Sequence, residues 1–324
     1  MGAVKEHQLV HHADRVEAAI GSGQAARSAL VASWRRSSRL HRLDPSGIRP
    51  PLRLTEPELR QTRERAAPLV RAAQTAMDRL YQAVGAVGCC VLLAGRDGVP
   101  VERRGAAADD ATFESWGLWT GSLWSEEHEG TNGIGTCLVE QRALTIDREQ
   151  HFFARNTALS CTAVPIYDQN ARLAGVLDVS SCRADLTDAF GNLISLAVSD
   201  AVRHIEADLF RAAFANARIL LMPPTENHCG GLVAIDTDDL VIGATRLARL
   251  ALDIAPGGLS QPIPAADLLG EPDAAREHLG DVERSALQRA LLRSHGNVSA
   301  AAKTLGVSRA TLHRKLNRFE LKPH

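Results

Sequence analysis

The stretch Gly296-Asn297-Val298-Ser299-Ala300-Ala301-Ala302-Lys303-Thr304-Leu305-Gly306-Val307-Ser308-Arg309-Ala310-Thr311-Leu312-His313-Arg314-Lys315-Leu316 decides how the end of this 324-residue chain folds. Asn297 is a good helix N-cap, and Val298, Ala301, Ala302 and Leu305 follow at the i, i+3, i+4, i+7 spacing of a buried stripe. Gly306 supplies a tight turn and Ser308 caps the next helix. From that helix Leu312, Leu316 and Phe319 point inward, while Arg309, His313, Arg314 and Arg318 point out. Upstream, Val282, Ala286, Leu287, Ala290 and Leu291 mark a further helix that ends at His295-Gly296. Small alanines on the middle helix let the last one cross it closely. That is how a helix-turn-helix exposes a recognition helix to the DNA major groove.

Charge points the same way. Formal net charge is -1, yet residues 281–324 hold nine basic side chains against three acidic ones, so this segment is +6 and the remainder -7. A compact cationic segment on an acidic chain is the footprint of a polyanion partner, because each phosphate contacted releases condensed counterions. Double-stranded DNA is the expected partner.

Working outward, residues 255–280 are rich in Pro, Gly and acidic side chains and read as a flexible linker. In the preceding segment, 216–254, Met222-Pro223-Pro224 breaks a helix. A hairpin follows, from Gly231 to Asp236 and from Leu240 to Gly243, and then a short helix from Ala244 to Ile254. Residues 58–215 hold one long helix at each end, Glu58 to Val84 and Leu186 to Ala215. Between them lie strands at Cys89 to Leu93, Leu144 to Asp147, Thr162 to Tyr167 and Leu173 to Ser180. An antiparallel sheet flanked by its own terminal helices makes this an α+β sensor-like domain. Residues 1–57 carry few large apolar side chains and read as a helical extension outside the core.

Composition excludes several classes. Hydrophobic residues are 45% and charged residues 23%, which is globular and not disordered. Six cysteines occur with no CxxC pair, so neither a disulfide framework nor a zinc ribbon is expected. Lys5, Glu6 and His7 stand where a signal peptide needs an apolar core, and the longest mostly apolar run, Ala83 to Gly95, falls short of the ~20 residues that span a bilayer. A cytoplasmic protein with no membrane, metal or cofactor requirement is expected.

Two resemblances sharpen this reading. Residues 281–324, with the quoted stretch at their centre, resemble the Fis-type helix-turn-helix that ends many bacterial enhancer-binding regulators. The resemblance implies that Ser308 and Arg309 read bases, with Thr311, Arg314 and Lys315 on phosphate; Asn297, His313 and Arg318 complete the candidate DNA-binding residues. An arginine fork can bond a guanine's O6 and N7 together, whereas a serine hydroxyl discriminates weakly. The second resemblance covers residues 25 to 215. Gly117-Leu118-Trp119, Trp124-Ser125-Glu126, Gly130-Thr131-Asn132-Gly133-Ile134-Gly135-Thr136, His151-Phe152, Leu159-Ser160-Cys161 and Gly175-Val176-Leu177-Asp178-Val179-Ser180 are similar to the GAF domain of regulators in the acetoin catabolism activator family. Residues 231–254 are similar to the start of the PAS segment in the same proteins.

Members of that family normally place an AAA+ ATPase between sensor and helix-turn-helix, and this sequence has no GxxxxGK[ST] phosphate loop. Gly130 to Gly135 is GxxGxG, with neither a dinucleotide fingerprint's order nor a phosphate loop's lysine. Control by binding alone, as a homodimer and without ATP hydrolysis, is therefore expected. For the small-molecule effector the candidate pocket residues are Trp116, Trp119, Trp124, His128, Asn132 and Cys161. A different class, a GAF-fold thiol oxidoreductase or a redox or metal sensor, would use Cys137 with Cys161.

Overall fold

The computed structural model describes residues 2–183, 188–222, 230–255, 257, 263–265, 279–294, 296–319 and 321. The chain divides into two compact units, Met1–Pro262 and Ile263–His324. Most of the expected linker, Pro223-Pro224, Cys229 and Lys322 lie outside the described residues.

The first unit is built on five antiparallel strands, β1 (Cys89–Gly95), β2 (Pro100–Arg104), β3 (Leu144–Asp147), β4 (Ser160–Tyr167) and β5 (Leu173–Ser181), in the order β2-β1-β5-β4-β3. Strand β1, between β2 and β5, is buried along its whole length. It therefore reads as an unbroken apolar run and not as an alternation. Alternate side chains still part to opposite faces. Val91, Leu93, Leu177 and Val179 pack beneath α4 (Ala67–Val84) and α8 (Asp188–Ala213) with Met77, Leu80, Val198 and Ile205. On the other face Cys90, Leu92 and Cys161 meet Phe113, Leu118, Trp124 and Ile134. That side is covered by α5 (Asp110–Ser115), α6 (Glu126–Glu129), α7 (Gly133–Glu140) and their loops. The result is the GAF-like α+β architecture.

The single helix expected from Glu58 to Val84 is two helices, α3 (Glu56–Arg65) and α4. Pro68 lies in the first turn of α4, where its missing N–H costs nothing, but it would break a helix running through it. A capping box in which Thr55 N donates to Glu58 at 2.8 Å starts α3 two residues early.

Residues 1–57 are not the coreless extension the sequence suggested. Val16 and Ile20 of α1 (Gly2–Gly21) and Val31 and Trp34 of α2 (Ala29–Arg35) form an apolar cluster with Leu43, Phe152 and Phe153. The Trp34 indole also donates to Gln150 O at 2.8 Å. The apolar residues are sparse in sequence because their partners come from a loop more than a hundred positions away.

Beyond α8 a second sheet contains β6 (Arg218–Leu221), β7 (Leu232–Ile235) and β8 (Leu240–Ala244), paired antiparallel, followed by α9 (Arg246–Ala251). This 216–254 segment belongs to the first unit. Tyr167 of β4 joins the first sheet to the helices beyond it: its N–H donates to Glu206 of α8 at 2.8 Å and its ring lies 4.4 Å from the Arg246 guanidinium of α9.

The second unit contains α10 (Leu279–Arg293), α11 (Val298–Thr304) and α12 (Arg309–Arg318). Leu287, Ala290, Leu291, Ala301, Ala302, Leu312 and Leu316 form its core.

Candidate nucleic-acid interface and sensor site

At the second unit's turn, Asn297 Oδ1 accepts from Ser299 and Ala300 N–H, both at 3.1 Å, to start α11. Val307 N–H then closes back on Ala302 O at 3.0 Å and Gly306 takes φ 65°, a left-handed conformation that glycine adopts without a Cβ penalty. Ser308 Oγ accepts from Thr311 N–H at 3.1 Å to start α12. Ala301 and Ala302 are buried between the helices, so α12 crosses α11 without large side chains in the gap.

These bonds divide the eight expected DNA-contacting residues. Arg309, His313 and Arg314 are exposed on α12 with no partner among the described residues. Arg318 is exposed too, with its guanidinium 5.3 Å from the Phe319 ring and 3.9 Å from Glu283. Ser308, Thr311 and Asn297 spend their side-chain oxygens on caps. Lys315, expected on phosphate, is half-buried and ion-paired with Glu283 of α10. Its ammonium hydrogen bond holds the Glu283 carboxyl below the usual range. The caps of Asn297 and Ser308 stand as the sequence pattern placed them, whereas the Lys315–Glu283 ion pair joins positions 32 residues apart and left no mark in that pattern.

The six expected pocket residues do not converge on one cavity. Trp124 is buried in the packing and its indole donates to Gly117 O at 2.7 Å. Asn132 is fully buried as the N-cap of α7, accepting from Gly135 N–H at 2.8 Å and donating to Trp124 O at 3.0 Å. Trp119 lies 4.3 Å from the Arg103 guanidinium, and His128 Nδ1 sits 2.8 Å from Ser125 Oγ. Trp116 is half-buried on the wall of an open cleft.

Cys161 belongs to a buried polar chain that the sequence did not reveal. His151 Nδ1 donates to Arg148 O at 2.9 Å, which leaves Nε2 to accept from the Cys161 thiol at 3.5 Å. Ser180 Oγ lies 3.1 Å from that sulfur and donates to Asp178 Oδ2 at 2.6 Å, while Asp178 Oδ1 has no partner among the described residues. Cys161 meets Ser180 and Asp178 because β4 and β5 are neighbours, and the loop between β3 and β4 brings His151 onto the same thiol. Burial pushes the Asp178 carboxyl up to about 7 and the His151 imidazole down to about 4. Burial also raises the thiols of Cys161 and Cys137, so neither carries the thiolate that attack on a disulfide or peroxide requires. Among the described residues no group of three His, Cys, Asp or Glu side chains is placed to hold a metal.

A pH dependence follows. The folded pKa of Asp178, about 7, lies above its unfolded value, and so does that of Glu206, also about 7 through burial. The native state therefore binds more protons than the unfolded one between these limits, and stability rises as pH falls from 8 to 6.5. Below 6.5 the buried neutral His151 opposes the trend, because the unfolded chain takes up a proton that the native state refuses. Asp178→Asn should remove about half of the rise between pH 8 and 6.5, on the order of 1 kcal/mol. Urea melts at the two pH values check this, and an unchanged slope would show that Asp178 is not the titrating group.

An α+β sensor domain on a chain that ends in a basic helix-turn-helix is the build of a bacterial regulatory protein. A family model described as bacterial regulatory protein, Fis family, matches residues 278–319. The chain belongs to the MimR N-terminal domain family, whose model matches residues 11–206. That match starts within α1, in keeping with the packing of the N-terminal helices on Phe152 and Phe153. The chain is 33% identical over 292 residues to the acetoin catabolism regulatory protein of Cupriavidus necator, covering 86% of this chain and 43% of that one. It is 29% identical over 236 residues to the propane 2-monooxygenase operon transcriptional activator MimR of Mycolicibacterium smegmatis, covering 71% and 38%. The chain thus spans less than half the length of these curated relatives. Among solved structures, the E. coli DhaR(N)-DhaL complex aligns with a TM-score of 0.52 at 15% identity, over 71% of this chain and 79% of that one, a likeness of fold. No helix among the described residues is long and apolar enough to cross a membrane.

Proposed function

We propose that this protein is a cytoplasmic, sequence-specific DNA-binding transcription regulator that works as a homodimer, its GAF-like domain sensing a small molecule and altering DNA binding without ATP hydrolysis. The observation that carries the reading is the uncommitted basic face of α12, with Arg309, His313 and Arg314 free on a helix whose N-terminus is capped by Ser308. The curated relatives, a catabolism regulator and an operon activator, support it. The lack of a GxxxxGK[ST] loop in this sequence supports control by binding alone.

A homodimer is favoured by a groove between α4 and α8 whose floor is small, with Ala76, Ala197 and Ala201, and whose rims differ in charge, with Arg79 on α4 and Asp200 on α8. Under a two-fold axis Arg79 would join the partner's Asp200, which within its own helix already lies 3.6 Å from Arg203 and 3.4 Å from His204. Two copies also supply the second recognition helix that a useful affinity and a palindromic site need.

With the operator located by footprinting, Arg309→Ala should cost about 1 to 3 kcal/mol on it, roughly 5- to 150-fold in affinity, and should relax preference at one base position. Random DNA should lose much less. Equal losses on operator and random DNA would reduce Arg309 to a phosphate contact. Lys315→Ala is not a clean phosphate probe, since it also strands Glu283.

A further inference from the structure

Between α2 and α3 the chain crosses the sensor body as a strap. One end is held where Ala154 N–H donates to Pro45 O at 3.0 Å and Arg155 reaches Gly47 O at 3.4 Å. At the other end Leu123 N–H donates to Leu52 O at 2.9 Å and Leu54 N–H to Gly121 O at 2.8 Å. Gly117, at φ 74°, approaches Pro51 so closely that a Cβ there would lie 2.6 Å from the proline Cβ. Between these anchors no described backbone hydrogen bond ties residues 48–51 to the body. Pro50 and Pro51 have no N–H to offer and hold the strap stiff. Ile48 is 77% exposed.

Beneath the strap lies a cleft of about 650 Å³, a volume in the range of small-molecule sites. Its apolar walls are Trp116, Ile48 and the two prolines. The polar groups around them are nearly all spent. Ser115 Oγ donates to Thr112 O at 2.7 Å and Thr157 Oγ1 to Ala154 O at 2.8 Å. Arg155 is ion-paired with the buried Glu129 and stacked 4.1 Å from the Phe153 ring. Arg49 is the exception. It lines the cleft, is exposed, and has no hydrogen-bond or ion-pair partner among the described residues.

We propose that this cleft binds a small carboxylic acid with a compact apolar body, the carboxylate held by Arg49 and the body lying between Trp116 and the prolines. The inference rests on the small-molecule sensing reading and names the chemical class sensed. A guanidinium fork matches a carboxylate with two parallel hydrogen bonds. One free guanidinium suits a monoanion, whereas a phosphate ester would call for further uncommitted cations. Anchoring at both ends keeps the cleft open before ligand arrives, which limits the ordering cost of binding.

The test is calorimetric titration of the full chain, without DNA, with benzoate and isobutyrate against their neutral amides, benzamide and isobutyramide. At least one acid should bind saturably and at least about tenfold more tightly than its amide. Arg49→Gln should erase that preference with no change in melting temperature, because Arg49 makes no hydrogen bond or ion pair among the described residues of the free protein. Trp116→Leu should weaken the acid while keeping its preference over the amide. Absence of saturable binding by either acid, equal binding of acid and amide, or full acid binding by Arg49→Gln would each overturn the proposal. The operator footprint is a separate measurement, so failure here leaves DNA binding standing and failure there leaves the cleft's chemistry standing.

Discussion

Arg36→Ala should destabilise the first unit by about 3 kcal/mol, toward the lower end of what stranding a buried charge costs. The Glu126 carboxylate is 2% exposed, at the start of α6. It accepts from Ser33 Oγ at 2.6 Å and from Arg36 through Nε at 2.9 Å and Nη2 at 3.0 Å. The same guanidinium also reaches Glu140 of α7 at 2.8 Å. Removing it leaves Glu126 in the interior with a single neutral donor, and nothing offsets the lost solvation. Its worth should exceed the ~0 to 1 kcal/mol of an exposed pair, because the Glu126 carboxylate is almost wholly shielded from water although Arg36 is only partly so. Adding Glu126→Gln to Arg36→Ala should recover most of the loss, since the charge that needed compensation is gone. Urea melts of the two variants check this. A cost below about 1 kcal/mol for Arg36→Ala would place the pair with ordinary surface bridges.

That ion pair is also where sequence reading stopped short. Strands were legible wherever pleat and burial wrote an alternation or a compact apolar run: Leu144 to Asp147 matches β3, and the expected Leu173 to Ser180 ends one residue before β5. The helix-turn-helix was legible because its caps, turn glycine and stripe are all local to one short stretch. Features joined across long separations were not. Nothing near Arg36 in sequence announces Glu126, and nothing near Cys161 announces that Asp178 lies on the next strand with Ser180 between them. The candidate pocket suffered for the same reason. Trp116, Trp119 and Trp124 are close in sequence, but Gly117 and Gly121, at φ 74° and 85°, turn the chain between them, so that Trp124 is buried in the core, Trp116 packs at the edge of that cluster and Trp119 lies against Arg103. Clustering along a chain is evidence of a shared site only where the backbone between the residues is regular, as it is along α12.

Leu312→Ala should reduce DNA binding to the same weak residual on every sequence, a different signature from that of Arg309→Ala. Leu312 is fully buried in the second unit's core with Leu287, Leu291 and Leu316. Truncating such a side chain costs about 2 to 5 kcal/mol in transfer and cavity terms. A three-helix unit of this size has only a few kcal/mol in hand, because short chains bury a small share of their surface. The loss therefore approaches or exceeds the unit's whole stability. Without a folded core, α12 no longer holds Arg309, Arg314 and Arg318 in one array, and a disordered basic segment keeps only weak, salt-sensitive attraction to phosphate. Limited proteolysis separates the two variants: cleavage within residues 279–319 should accelerate in Leu312→Ala and stay slow in Arg309→Ala, while residues 2–183 remain protected in both. The first unit's melting temperature should be unchanged. If Leu312→Ala retains operator affinity within about twofold of the parent chain, the energy holding α12 in place does not come from this small core.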